Sequence, residues 1–241
     1  MAGLNQYTKL LLHCDGANAS TAFIDATSRH ANLTVNGDAQ VSTTAPKWGT
    51  GAALFDGTTD FLTSPDHADW DICGQTNFTL DFQVKQTNLT SPNTIQYYIA
   101  QGANSSNQWF VGKWTNNAVK FDIQTGAASQ ITLVTGNNAI NDITTWHHVA
   151  VIKVGTLWGI YVDGTQLAYA SDASADTYNG LLHIGCDLAE AIYFFNGRLD
   201  EIRIQHNNYF NAAPNIGLTN TITAPVSVYA STGHNFGQVI Y

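Results

Sequence analysis

The chain has 241 residues and a formal net charge of −9, and only 11% of its residues are charged. That fraction is less than half of the roughly 25% found in average soluble domains, so uncharged polar residues supply much of the surface. Nine basic residues among eighteen acidic ones cannot line a phosphate backbone, so we expect no nucleic acid partner. No segment approaches the roughly 18 consecutive apolar residues of a spanning helix, so we expect no membrane insertion.

The start of the chain and its cysteines carry information about the compartment. Residues 1–7 lack the charged and apolar regions of a secretory signal, which predicts synthesis in a cytoplasm and leaves the place where the protein works open. The three cysteines, Cys14, Cys73 and Cys186, are an odd number and widely spaced. This spacing favours buried free thiols over a disulfide framework or a cysteine metal site.

Short segments with strand character recur along the chain between Gly, Asn, Asp, Ser and Thr clusters. The clearest is 78–85, where apolar and polar residues alternate with the period of a half-buried strand. The sequence shows no convincing amphipathic helix and predicts an all-β antiparallel sandwich. In chain order the predicted strands are 8–14, 52–55, 78–85, 96–100, 108–113, 119–124, 146–154, 157–162, 165–169, 181–185 and 198–204.

The strand pattern ends near residue 206, which predicts a sandwich domain over 1–206 and a short C-terminal extension over 207–241. The extension contains Tyr209, Phe210 and Tyr229 and is too apolar for a disordered linker. We expect it to serve as an assembly arm that packs on a partner, because monomers avoid such exposed apolar surface. The alternative is that it folds back on its own sandwich.

Four segments together resemble the laminin G-like branch of the concanavalin A-like jelly-roll superfamily. They are residues 10–16 (LLLHCDG), 51–57 (GAALFDG), 146–164 (WHHVA through IYVDG) and 195–204 (FNGRLDEIRI). The resemblance implies a jelly-roll β-sandwich that covers most of residues 8–206. Independently of the resemblance, Trp146 is large and apolar enough to be a core anchor between two sheets.

The opening residues 7–16 are similar to versions of this module in bacteriophage structural proteins. This resemblance implies a virion protein, such as a tail, fibre or capsid-decorating component, whose partners are other virion proteins or copies of itself. A different hypothesis is a carbohydrate-recognition module that binds a host cell-surface glycan, on a virion or elsewhere. The two hypotheses are compatible, and both stay open at this point.

Sugar binding requires exposed aromatic rings flanked by amides and carboxylates, because ring faces contact sugar C–H groups while hydroxyls need hydrogen-bond partners. The strands and turns near residues 96–117 and 193–194 supply this chemistry. The alternative is that their rings form the core. The candidate carbohydrate-binding residues are Tyr97, Trp109, Trp114, Asn116 and Tyr193.

The first and last strands of this fold are expected to lie side by side and antiparallel, which brings Asp15 close to Asp200. The loop that contains Asp25 can reach the same corner. Because Ca²⁺ prefers oxygen ligands from separate loops, we predict a structural calcium site formed by these three residues. The alternative is that the three carboxylates only cap turns or bind backbone amides.

Some relatives of this fold are glucanases with a Glu-x-Asp-x-x-Glu strand. This chain has only two glutamates, Glu190 and Glu201, so it cannot contain that motif, and we predict that it is not an enzyme. A glycoside hydrolase remains the less favoured alternative. The eight histidines show no zinc spacing, and His147 and His148 point to opposite faces of a strand.

Overall fold

The structure is a computed structural model that describes residues 4–89, 95–188 and 192–231. In this part of the chain, fifteen strands form two antiparallel sheets. They are β1 (Thr8–Leu12), β2 (Thr34–Asn36), β3 (Gln40–Ser42), β4 (Ala52–Asp56), β5 (Phe61–Ser64), β6 (Asn77–Gln86), β7 (Gln96–Asn104), β8 (Asn107–Lys113), β9 (Val119–Thr125), β10 (Ala128–Val134), β11 (His147–Val154), β12 (Leu157–Val162), β13 (Thr165–Ser171), β14 (Leu182–Ile184) and β15 (Asn196–Gln205).

The strands divide between a first and a second sheet. The first sheet has the order β13-β12-β11-β6-β15-β4-β3, and β1 also pairs with β15. The second sheet has the order β10-β9-β8-β7-β14-β5-β2. The antiparallel sandwich predicted from the sequence is confirmed, and so is the antiparallel pairing of the first and last strands.

Eleven strands coincide with predicted segments, whereas β2, β3, β5 and β10 were not predicted. Two of these four, β2 and β3, are only three residues long, which is too short to show alternation. Two 3₁₀ segments, Ala68–Trp70 and Thr115–Asn117, are the helical elements of the described chain. Neither is long and apolar enough to cross a membrane.

The core between the sheets contains three fully buried indoles, those of Trp70, Trp109 and Trp158. Trp146 is not among them, so the prediction that it anchors the core is wrong. It precedes β11 and is only half-buried, and its indole N–H donates to the carbonyl of Ala45 at 3.1 Å. The three cysteines are free and buried, as predicted.

The C-terminal segment lies on the outer face of the first sheet. Tyr229 is 3% exposed, and the hydroxyl of Thr79 in β6 donates to the carbonyl of Asn207 at 2.9 Å. Strand β6 is therefore buried on both faces rather than half-buried as predicted. Residues 207–231 fold back on their own sandwich, which is the alternative to a free arm, and residues 232–241 lie outside the described residues.

Candidate ligand-binding site

Four rings stack in a row on the outer face of the second sheet, and we call them the aromatic row: Tyr193, Tyr97, Phe110 and Trp114. Tyr193 stacks on Tyr97 with ring centroids 5.5 Å apart. Tyr97 stacks on Phe110 at 4.1 Å and 10°, and Phe110 stacks on Trp114 at 6.2 Å. The row joins three of the five residues predicted to bind carbohydrate, although Tyr193 is far from the others in sequence.

The alternation of β8 decides which aromatic residues reach this face. Phe110 pairs with Asp122 of β9 on the outer side, while Trp109 pairs with Ile123 and belongs to the core. Trp109 has no exposed surface, and its indole N–H donates to the carbonyl of Trp70 at 3.0 Å. Contrary to the prediction, Trp109 is unavailable to a ligand.

The two ends of the row are its accessible parts. Tyr193 is 41% exposed, whereas Tyr97 and Phe110 are 6% and 1% exposed. Tyr193 has a φ of 54°, a left-handed conformation that is uncommon for bulky residues and costs about 1–3 kcal/mol. At the other end, half-buried Trp114 precedes the exposed Asn116, whose φ of 57° is also left-handed.

A pocket of about 430 Å³ adjoins the Tyr193 end of the row. Its wall combines the rings of Tyr193 and Phe194 with the side-chain amides of Gln96 and Asn196. Gln96 accepts a hydrogen bond from the Asn196 backbone at 3.5 Å, which holds the two amide residues together. The remaining lining residues are Gly57, Ile95 and Ile192.

A cation lies at the other end of the row. The ammonium of Lys120 is 4.2 Å from the Trp114 ring centroid and 3.2 Å from a carboxylate oxygen of Asp122. Asp122 is fully buried and accepts hydrogen bonds from Ser129, Thr132 and Gln124. Its charge is thus balanced and its oxygens are occupied.

Burial acts on the tyrosine in the middle of the row. It raises the pKa of the Tyr97 phenol, and the nearby carboxylate of Asp187 raises it further. An ordinary phenol is already protonated at neutral pH, and the raised pKa extends this range to higher pH, so the hydroxyl keeps its hydrogen as a donor.

In the structure, each of the three predicted calcium ligands accepts hydrogen bonds from backbone amides. Asp15 accepts hydrogen bonds from the Thr50 hydroxyl at 3.0 Å and the Gly51 amide at 3.2 Å. Asp200 accepts from the amides of Lys47 and Trp48 at 3.0 and 3.3 Å. Asp15 and Asp200 thus bind the same loop, but through N–H and O–H donors.

Asp25 lies in a separate hydrogen-bond network. One of its oxygens accepts from the amides of Leu11 and Thr27 at 3.1 and 3.0 Å.

Burial, with the neighbouring charge of Glu201, raises the pKa of Asp200 to about 8. These contacts correspond to the turn-capping alternative, and the calcium site itself stays a prediction.

Lys120 and Asn196 are absent from the residues predicted to bind ligand. The sequence does contain an indication for Lys120, because it lies two residues before Asp122, and residues two apart in a strand point to the same face. Asn196 begins β15 two residues after Phe194, within a segment that the sequence assigned only to the last turn. Glu190, which entered the hydrolase argument, lies outside the described residues.

Comparison with known families agrees with this fold. A family model of the concanavalin A-like lectin/glucanases superfamily, of the laminin G type, matches residues 56–208. The match covers more than half of the chain, so the chain belongs to this superfamily. No curated protein matches the chain.

Solved structures of similar fold include binding domains of botulinum neurotoxins. The binding domain of botulinum neurotoxin DC in complex with SialylT has a TM-score of 0.64 and 14% identity, over 84% of this chain and 48% of that one. The same domain in complex with rat synaptotagmin II has a TM-score of 0.62 and 12% identity, over 83% of this chain and 48% of that one. The receptor-binding domain of the botulinum neurotoxin C/D mosaic serotype has a TM-score of 0.63 and 16% identity, over 85% of this chain and 49% of that one. The chain spans about half the length of these structures, and the likeness concerns the fold.

Proposed function

We propose that the chain is a non-enzymatic carbohydrate-binding domain, and that the sugar is held by the pocket at the Tyr193 end of the aromatic row. The observation that carries this proposal is a pocket lined by the exposed Tyr193 and the half-buried Phe194 together with the amide residues Gln96 and Asn196. Tyr193 and Phe194 offer apolar faces, while Gln96 and Asn196 offer both donors and acceptors. A sugar presents the complementary surfaces, namely C–H faces and hydroxyl groups.

The backbone at Tyr193 supports the same site. An aromatic residue with a φ of 54° is strained, and such strain concentrates at ligand-binding positions. The strained backbone is tied to the sheet because its carbonyl accepts a hydrogen bond from the Tyr97 amide at 2.9 Å. The ring is therefore presented in a defined position, which lowers the entropy that binding would cost.

The chemistry of Asp122 supports a binding role without hydrolysis. A glycosidase needs two carboxyl groups about 5–9.5 Å apart at the scissile bond, one of them free to act as a base or nucleophile. Asp122 contacts Lys120 and three hydrogen-bond donors, and it has no exposed surface. This carboxylate is thus poorly suited to either catalytic task.

The solved structures of similar fold add support at the level of the fold. One of these neurotoxin domains was solved with SialylT, and another structure concerns the interaction of neurotoxin type C with two ganglioside molecules. This chain aligns with about half of each of these domains, so they support the fold as one part of a glycan-binding protein. The assignment of a site in this chain rests on its own residues.

A glycan array probed with the purified chain tests the proposal, with Tyr193→Ala and Asn196→Ala as site variants. Tyr7→Ala is the matched control, because Tyr7 is 44% exposed and lies outside the pocket. We expect the wild type and the control to bind the same glycans, and both site variants to lose them. Binding that survives both site variants, or no binding to any glycan, would overturn the proposal. Hydrolysis of a bound glycan would contradict the non-enzymatic part.

We further propose that the domain works on a bacteriophage particle, as a tail, fibre or capsid-decorating component. Support comes from the resemblance of residues 7–16 and from the exposed apolar residues of the C-terminal segment. Ile216 and Val226 are 85% and 84% exposed, so each is accessible to another virion protein or to a second copy. Mass spectrometry of purified particles should detect the chain, and its absence from particles would contradict this role.

A further inference from the structure

Two histidines and an aspartate from separate segments meet on one side of the sandwich. His30 lies in the loop between β1 and β2, and His67 and Asp69 lie at the start of the 3₁₀ segment Ala68–Trp70. The possible ligand atoms of these three side chains all lie within 4.8 Å of one another. In residues 4–89, 95–188 and 192–231, no other three His, Cys, Asp or Glu side chains come together in this way. None of the three lines the pocket at Tyr193.

We propose that His30, His67 and Asp69 form a binding site for a divalent transition-metal ion of the zinc type. The Nε2 atom of His30 is 3.2 Å from the Oδ2 atom of Asp69, and the Nδ1 atom of His67 is 3.5 Å from the same oxygen. A tetrahedral ion with bonds of about 2.1 Å separates its ligands by roughly 3.4 Å. The two spacings to Asp69 therefore match such a ligand set, and all three donor atoms lie within 4.8 Å of one another.

The donor set selects the class of ion. Two imidazoles and one carboxylate suit Zn²⁺ and its neighbours in the transition series, whereas Ca²⁺ and Mg²⁺ prefer oxygen ligands alone. Three protein ligands leave a fourth position for water. The site differs in residues and chemistry from the calcium site predicted at Asp15, Asp25 and Asp200.

The two histidines have different environments. The His30 side chain is buried and held in place, whereas His67 is accessible to solvent. The His30 side chain is 7% exposed, and its ring packs against Trp70 at 4.4 Å, so its orientation is fixed. The His67 side chain is 51% exposed and leaves the site open to solvent. Its Nδ1 atom accepts a hydrogen bond from the Asp69 amide at 3.1 Å, so an ion bound at this nitrogen would take the place of that hydrogen bond.

The surroundings of Asp69 orient its carboxylate. The ammonium of Lys9 is 3.9 Å from Oδ1, which leaves Oδ2 for the two imidazoles. The Nε2 atom of His206 lies 3.1 Å from the Asp69 carbonyl, which ties the short 3₁₀ segment to the end of β15. Hydrogen bonds and ion pairs from neighbouring residues orient metal ligands in proteins in this way.

Competition from thiols is limited in this chain. All three cysteines are buried, and burial raises the pKa of each of them. Thiolates, which are the metal-binding form, are therefore scarce at neutral pH. Zinc bound by the folded chain can thus be assigned to imidazole and carboxylate ligands.

The test uses the untagged full chain after treatment with a chelator, and titrates Zn²⁺ by calorimetry. The site variants are His67→Gln and Asp69→Asn. The matched control is His147→Gln, because His147 also lies beside two carboxylates, those of Asp142 and Asp163, but without a second histidine. We expect one zinc per wild-type chain and per control chain, and at least about tenfold weaker binding in each site variant.

A second measurement identifies the ligand geometry. Co²⁺ bound to the wild type should give the intense visible absorption of a tetrahedral complex, and both site variants should lose it. Circular dichroism of the metal-free proteins establishes that the variants are folded, and His67→Gln is the safer variant because its side chain is exposed. Zinc affinity equal in all four proteins would show adventitious surface binding and overturn the proposal, as would no binding to the wild type. Glycan binding by the same variants should be unchanged, which keeps this test separate from that of the proposed function.

Discussion

The phenol of Tyr229 donates a hydrogen bond to the carboxylate of Asp81, a residue 148 positions earlier in the chain. Asp81 also contacts Arg203 Nε at 2.9 Å and His148 Nε2 at 3.1 Å. All four side chains are buried. Although burial opposes ionisation, Arg203 and His148 lower the pKa of Asp81. The C-terminal segment is therefore fastened to the centre of the first sheet through a buried ionic cluster.

Tyr229→Phe should destabilise the fold while keeping the ring. The substitution removes a hydroxyl that donates to Asp81 and accepts from Arg203 at 3.0 Å. A hydrogen bond to a charged group is worth about 1.5–3 kcal/mol, so we expect a loss of that size in the free energy of unfolding. Urea denaturation measures it. The control is Tyr7→Phe, which should unfold like the wild type because Tyr7 is 44% exposed.

Truncation after His206 should lower the melting temperature strongly. It would expose the outer face of β6 and leave Asp81 and Arg203 without the hydroxyl of Tyr229. It would also remove the apolar contacts of Ala212 and Ile222 with Ala150, Ile152 and Tyr161. Loss of this buried apolar area is costly, so scanning calorimetry should show a much earlier transition. A truncated chain with an unchanged melt that no longer assembles would instead support the arm hypothesis. That outcome would contradict the role of residues 207–231 in the domain.

The sandwich is predictable from the sequence because its information is local. The alternation in residues 78–85 and the clusters of turn residues between the strands each follow from neighbouring residues. The double burial of β6 is not local, since it depends on Asn207 and Tyr229 reaching Thr79 and Asp81 from far along the chain. The alternation of apolar and polar residues therefore predicts an exposed face for β6, whereas the structure buries both faces.

The aromatic row is only partly predictable for a similar reason. Trp109 and Phe110 are adjacent, so either one satisfies an apolar inward position, and the sequence does not decide between them. Pairing across β8 and β9 places Trp109 inward. Tyr193 joins the row through the backbone hydrogen bond between its carbonyl and the Tyr97 amide, which no local pattern encodes. The His30–His67–Asp69 group escaped notice because its members come from two separate segments.

His147 should stabilise the fold more in acid than in base. Its hydrogen bond to Asp163 raises the pKa, burial opposes the shift, and Asp142 raises it further. A histidine whose pKa rises on folding contributes stability that is complete below its unfolded pKa of about 6.5 and is lost as pH rises through the folded value. His147→Gln should therefore cost more unfolding free energy at about pH 5.5 than at about pH 8.5.

Denaturant titrations of wild type and His147→Gln at the two pH values measure this difference. Asp163→Asn provides the check, because it removes the largest cause of the shift. In that background, the pH dependence of the His147→Gln effect should be much smaller. An equal cost of His147→Gln at both pH values would contradict the ion pair.

The predicted calcium site at Asp15, Asp25 and Asp200 should make the melting temperature of the chelator-treated chain rise when calcium is added, because an ion that binds only the folded state stabilises it by mass action. A concentration of about 10 mM exceeds the dissociation constants of about 0.1–1 mM typical of weak calcium modules. Asp200→Ala should abolish the rise. An unchanged melting temperature in the wild type would contradict the site and leave the three carboxylates as acceptors of loop hydrogen bonds.

The length of the aromatic row leads to a prediction about ligand size, which rests on the proposed carbohydrate function. Tyr193 and Trp114 are the exposed and half-buried ends of the row, with Tyr97 and Phe110 between them. A short sugar can fill the pocket at Tyr193 alone, whereas a longer chain can also reach Trp114. We therefore expect Trp114→Ala to weaken the binding of long oligosaccharides and to leave short ones unaffected.

The expected loss is about threefold to tenfold, because aromatic contacts are worth about 0.5–1.5 kcal/mol and 1.4 kcal/mol is about tenfold. Trp48→Ala is the matched control, since Trp48 is also half-buried and Lys47 lies 5.1 Å from its ring centroid, much as Lys120 lies over Trp114. Calorimetric titration with one glycan at several chain lengths makes the comparison. If Trp114→Ala weakens all lengths equally, Trp114 supports the fold of the row; if it weakens none, the ligand is confined to the Tyr193 pocket. Either result would refute the two-ended site.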